Sequence, residues 1–90
     1  MFKQAHLYIK GDVIGVGFRA WVKIQAKIIG VNGWVRNRGS GVEILLQSEE
    51  DKINKMVELL KKGPPISRVD DVEIFWQELK EIFEGFEIKK

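Results

Sequence analysis

The chain has 90 residues, 44 % hydrophobic and 31 % charged, with a formal net charge of +2 and an isoelectric point near 9.0; this predicts one globular domain over 1–90 with a modest core. With no cysteine and one histidine, His6, the composition excludes disulfides, thiolate metal sites and a closed zinc site of nitrogen and sulfur ligands. No run approaches membrane-spanning length and the N-terminal stretch lacks a signal-peptide layout, so a cytoplasmic protein with no membrane partner is expected.

Ala5, Leu7 and Ile9 alternate with His6 and Tyr8, the pattern of a half-buried strand. The stretch GDVIGVGFRA, Gly11 to Ala20, follows it as an apolar, glycine-bearing connection closed by an arginine. RAWVKIQAKIIG then reads as a helix stopped by Gly30. Val22, Ala26 and Ile29 form its core stripe, and Trp21, Ile24 and Ile28 add a second stripe beside it. Together they span an arc of about 200°, wider than the roughly 100° that a core-facing helix needs. Part of this second stripe is therefore expected to be exposed and to mediate self-association, making the chain a monomer or a weak homo-oligomer.

GWVRN and GVEILLQ are two short strands joined by RGSG, a turn of hairpin length. Val42, Ile44 and Leu46 share one face of the second, while Glu43 and Gln47 share the other. SEEDKINKMVELLKK predicts a helix with Ser48 as N-cap, acids in its first turn and lysines in its last. Ile53, Met56, Val57 and Leu60 recur at helical spacing before Gly63 to Pro65 end it. RVDDVEIFW is a further strand, with Val72, Ile74 and Trp76 alternating, and EGFEIKK supplies a short last strand through Phe86 and Ile88. The order is β-α-β-β-α-β with a terminal addition. This is the α+β ferredoxin-like sandwich, a mostly antiparallel sheet with two helices on one face. Because that topology hosts many activities, function has to come from a site.

The glycine connection has the chemistry of an anion site. It delivers the chain to a helix N-terminus, where unpaired N–H groups and the helix dipole favour negative charge. Gly15 and Gly17 can adopt backbone angles that let successive N–H groups converge, and Arg19 adds a planar fork suited to two phosphate oxygens. The same features also describe an ordinary strand-to-helix turn followed by a solvated arginine. The spacing is that of neither the nucleotide-binding loop nor the dinucleotide fingerprint, so a small phosphate group fits better than a nucleotide. The lysines are scattered rather than gathered in a stripe, which argues against nucleic acid. By residue type alone, Asn37 is a turn residue, His6 a plain strand residue, and Trp34 and Trp76 packing residues.

GDVIGVGFR resembles the signature of the acylphosphatases, whose usual form is Gly-x-Val-Gln-Gly-Val-Gly-Phe-Arg. GVNGWVRN is similar to the second motif of that family, and GPPISRVDDVEIFW and GFEI to its closing segments, so the likeness covers essentially the whole chain. The resemblance implies a small hydrolase that needs no metal or other cofactor and cleaves acyl phosphates into carboxylate and inorganic phosphate. It implies that Arg19 binds phosphate, that the backbone of Gly15, Val16, Gly17, Phe18 and Arg19 forms the phosphate cradle, and that Asn37 orients the attacking water. The chain departs from the family in having Ile14 where glutamine is usual, and in a hairpin over 37–43 that is shorter by one residue. A non-catalytic phosphate- or RNA-binding module of the same fold is the alternative.

Overall fold

The structure is a computed structural model and describes residues 2–15 and 17–90. Its elements follow in the order β1 (Lys3–Asp12), α1 (Phe18–Ile29), β2 (Asn32–Arg38), β3 (Gly41–Ser48), α2 (Glu50–Lys62), β4 (Arg68–Gln77) and β5 (Phe86–Ile88). The strands form one sheet in the order β4-β1-β3-β2-β5. All neighbours are antiparallel except β2 and β5, which run parallel. This is the expected ferredoxin-like arrangement, with both helices on one face.

Alternation in the strands decides which face that is. Ala5, Leu7 and Ile9 of β1 and Val42, Ile44 and Leu46 of β3 point toward the helices and join one core with Phe18, Val22 and Ala26 of α1 and Ile53, Met56, Val57 and Leu60 of α2. Gly30 ends α1 in the left-handed conformation, its N–H and that of Val31 both donating to the Ala26 carbonyl at 2.9 Å. Burying a core of this size supplies the main drive to fold, at about 25 cal/mol per Å² of apolar surface.

Two expectations need correction. Ser48 does not cap α2; Glu49 stands at the cap position and makes no side-chain cap bond. Ser48 instead ends β3, where its hydroxyl donates to the Gly30 carbonyl at 3.2 Å and ties that strand to the end of α1. Trp76 is not a packing residue of the core, being 49 % exposed at the end of the edge strand β4. Trp34, in contrast, is buried as expected.

The face of β3 turned away from the helices is also covered. Gln47 is 0 % exposed and Glu43 2 %. The segment between β4 and β5 returns across one end of that face: Gln47 donates to the Glu81 carbonyl at 2.6 Å and accepts from the Phe83 N–H at 2.9 Å. In α1, Trp21 packs against the core while Ile24 and Ile28 stay exposed, the latter at 74 %.

Candidate functional site

Gly17 is the N-cap of α1, with φ 76°, and Gly15 has φ 78°. Both lie in the left-handed region that L side chains avoid, and a Cβ added at either would meet no protein atom within 4 Å. Glycine is required here for backbone conformation rather than for room. Val16, expected between them in the cradle, lies outside the described residues.

The first intrahelical bond of α1 runs from the Trp21 N–H to the Gly17 carbonyl at 3.1 Å. The N–H groups of Phe18, Arg19 and Ala20 therefore precede the helical ladder, and Gly17 has no side chain with which to cap them. Phe18 is buried in the core, so its ring anchors this end of the helix and only its backbone faces the loop. Arg19 is half-buried, and its side chain has no hydrogen bond or ion pair among the described residues. A cleft of about 170 Å³ opens here, lined by Val13, Gly15, Gly17, Phe18, Arg19 and Ile88 among others.

Sheet topology brings Asn37 to the same end of the molecule. β1 and β2 flank β3 and both run antiparallel to it, so their C-terminal ends lie side by side. Ile9 pairs with Val42, and Val42 pairs with Asn37, making one row across the sheet on the helix-bearing face. Ile88 of β5 pairs with Val35, two residues before Asn37 on β2. Asn37 is exposed and stands outside the lining of the cleft, roughly 7 Å further along the strand from Val35 at about 3.3 Å per residue. The structure thus brings Gly15, Gly17, Phe18 and Arg19 around one cleft and sets Asn37 beside it at the end of β2.

Two residues of this region had no sequence signal that singled them out. Ile88 lines the cleft because β5 joins the sheet beside β2, which only long-range strand pairing reveals. Glu43 lies behind Asn37 on the opposite face, where its carboxylate accepts from Arg36 Nε at 2.5 Å, is bonded to His6 Nε2 at 2.5 Å, and accepts more weakly from Arg38 Nη1 at 3.4 Å. Burial pushes the Glu43 carboxyl up, but the hydrogen bonds and charges of Arg36 and His6 more than offset this and hold it below its ordinary value. A polar residue alternating with apolar ones in a strand announces an outward position; what it meets there depends on register. No group of three or more His, Asp or Glu side chains among the described residues is arranged to hold a metal ion.

The acylphosphatase family model matches residues 5–88 of the chain. An acylphosphatase of Pyrobaculum islandicum is 49 % identical over 87 residues, covering 94 % of this chain and 92 % of the relative. One from Thermococcus kodakarensis is 41 % identical over 86 residues, with 94 % and 93 % covered. The crystal structure of an acylphosphatase from Bacillus subtilis matches with a TM-score of 0.94 at 35 % identity, covering 100 % of both chains.

Proposed function

The chain belongs to the acylphosphatase family, and from that premise we propose how it hydrolyses acyl phosphates. The substrate's phosphoryl oxygens sit in the cleft at the start of α1, held by the N–H groups of the loop and first turn and by the Arg19 guanidinium. Water attacks phosphorus, oriented by the Asn37 side chain, which can accept through its carbonyl oxygen or donate through its NH₂. The bond from phosphorus to the bridging oxygen breaks and its electron pair leaves with the carboxylate. An acyl phosphate dianion and one water give a carboxylate and a dihydrogen phosphate ion, so atoms and charge balance.

The observation that carries this reading is the coincidence around one cleft of left-handed glycines, a helix end without a side-chain cap bond from its N-cap residue, and an Arg19 side chain with no partner among the described residues. No acid stands in the first turn of α1 to hold Arg19, which leaves its guanidinium open to an anion from solution. Because the leaving carboxylate is stable, positioning and charge stabilisation suffice without a side-chain base. The reading of the fold as an RNA-binding module requires rings free to stack on the open sheet face. Of the rings on that face, Trp34 is buried and overlaid by Arg36 at 5.1 Å and Lys89 at 4.7 Å, and Tyr8 is overlaid by Arg38 at 5.1 Å. Phe75, 49 % exposed at the sheet edge, is one ring rather than a stacking series, which weighs against it.

The test is hydrolysis of benzoyl phosphate with chelator present. Wild type turns over at an undiminished rate, while Arg19→Ala and Asn37→Ala each lose about 10²–10³ in kcat/KM, the scale of removing one preorganised donor at a charged transition state. Phosphate binding that depends on Arg19 without any turnover in the wild type would replace the enzyme with a binding module.

A further inference from the structure

We infer that Glu43 is a positioning residue for Asn37, clamping Arg36 and Arg38, its two neighbours on β2, from the opposite face of the sheet. The inference rests on the reading of Asn37 as the residue that orients water.

The end of β2 needs such a device. β5 pairs with β2 only over Gly33, Trp34 and Val35, and its last bond to β2 is the Lys89 N–H donating to the Val35 carbonyl at 2.8 Å. Among the described residues, Arg36, Asn37 and Arg38 are therefore paired laterally with β3 alone, next to the turn at Gly39 and Ser40. Strand ends with one neighbour open at low free-energy cost. Asn37 itself is exposed, and its side chain has no hydrogen bond among the described residues. Where it points is decided by its backbone, and its backbone by its neighbours.

Glu43 supplies what the missing strand does not. It pairs in register with Arg36 on β2 and with Tyr8 on β1. One carboxylate oxygen takes Arg36 Nε at 2.5 Å, and the other is shared by His6 Nε2 at 2.5 Å and Arg38 Nη1 at 3.4 Å. Arg38 also donates to the Tyr8 hydroxyl at 2.9 Å, and its guanidinium lies over that ring at 5.1 Å. An ion pair between exposed side chains would contribute little. Here the carboxylate side chain is 3 % exposed, so releasing an arginine would leave a buried charge underpaired. That burial is what turns a surface contact into a clamp. Two other cations on this face lie against different groups: Lys10 of β1 is 3.8 Å from Glu73 of β4, and Lys89 lies over Trp34.

Glu43→Gln keeps the volume and an acceptor while removing the charge. Assayed on benzoyl phosphate at a temperature where both proteins are folded, it lowers kcat by about 10-fold to 100-fold, the effect of a small misplacement near the reacting atoms. KM and the inhibition constant of inorganic phosphate stay within about twofold, because Arg19 and the loop are positioned by a different connection. Combining Glu43→Gln with Asn37→Ala gives no further loss beyond Asn37→Ala alone, since both act through one side chain. Unchanged kcat in Glu43→Gln, a parallel weakening of phosphate inhibition, or additive losses in the double variant would each overturn the inference. An Asn37→Ala variant with full kcat would instead remove the reading of Asn37 on which it rests.

Discussion

Gly17 and Gly15 are tolerant of size and intolerant of chirality, because nothing crowds a Cβ at either position but both need positive φ. Gly17→Ala is therefore expected to cost about 1–2 kcal/mol from left-handed strain alone, read as a lower midpoint in urea unfolding. If the variant relieves that strain by turning the first N–H groups of α1 aside, phosphate inhibition weakens with it. Glu43 gives a second residue-level expectation. Its folded-state pKa lies below the ordinary 4.5, so the stabilisation is present above that value and is lost as pH falls through the folded one. The melting temperature of the wild type should fall more steeply on acidification below that value than that of Glu43→Gln, which has no charge there to lose.

The two helices carry apolar residues to different ends. In α2, Ile53, Met56, Val57 and Leu60 are all buried, so Leu60→Ala leaves a cavity and is expected to cost about 2–5 kcal/mol in a denaturant titration. In α1, Ile28 and Ile24 face outward, and Ile28→Ala should change monomer stability by no more than about 0.5 kcal/mol. Weak self-association through this stripe is checked by sedimentation velocity across a concentration series, with Ile28→Lys as the comparison. A wild type that sediments as a monomer throughout removes that role. Spacing alone places Trp21 with these two; in the structure it packs beside the core, its ring 5.7 Å from that of Phe18. A helical wheel orders residues by angle, but how far the neighbouring elements rise around the helix is a property of the packing.

Across the molecule, the last segment does more than extend the sheet. Residues 78–85 satisfy Gln47, Phe86 is buried, and Ile88 lines the cleft beside Arg19. Ending the chain after Gln77 would uncover a wholly buried amide, expose the β2 edge and open the cleft. Loss of the cooperative thermal transition by circular dichroism is the expected result. The relatives from Pyrobaculum and Thermococcus, thermophile genera, accord with the lysine- and glutamate-rich, cysteine-free composition.

The elements, their order and the chemistry of the loop are legible in the sequence because they are written in short-range periodicities. Strand alternation in β1, helical spacing in α2, and glycines where φ must be positive each depend on neighbours a few residues apart. The two family motifs were legible for the same reason. That Asn37 lies at the same end of the sheet as the loop, that Ile88 lines the cleft with Arg19, and that Glu43 and Gln47 are buried on the face turned away from the helices came only with the folded chain. Those outcomes depend on strand order, register and the return of a late segment, and are set by contacts between residues far apart in the chain. A polar residue in an alternating strand reads the same whether water or two arginines will meet it; folding supplies the partner.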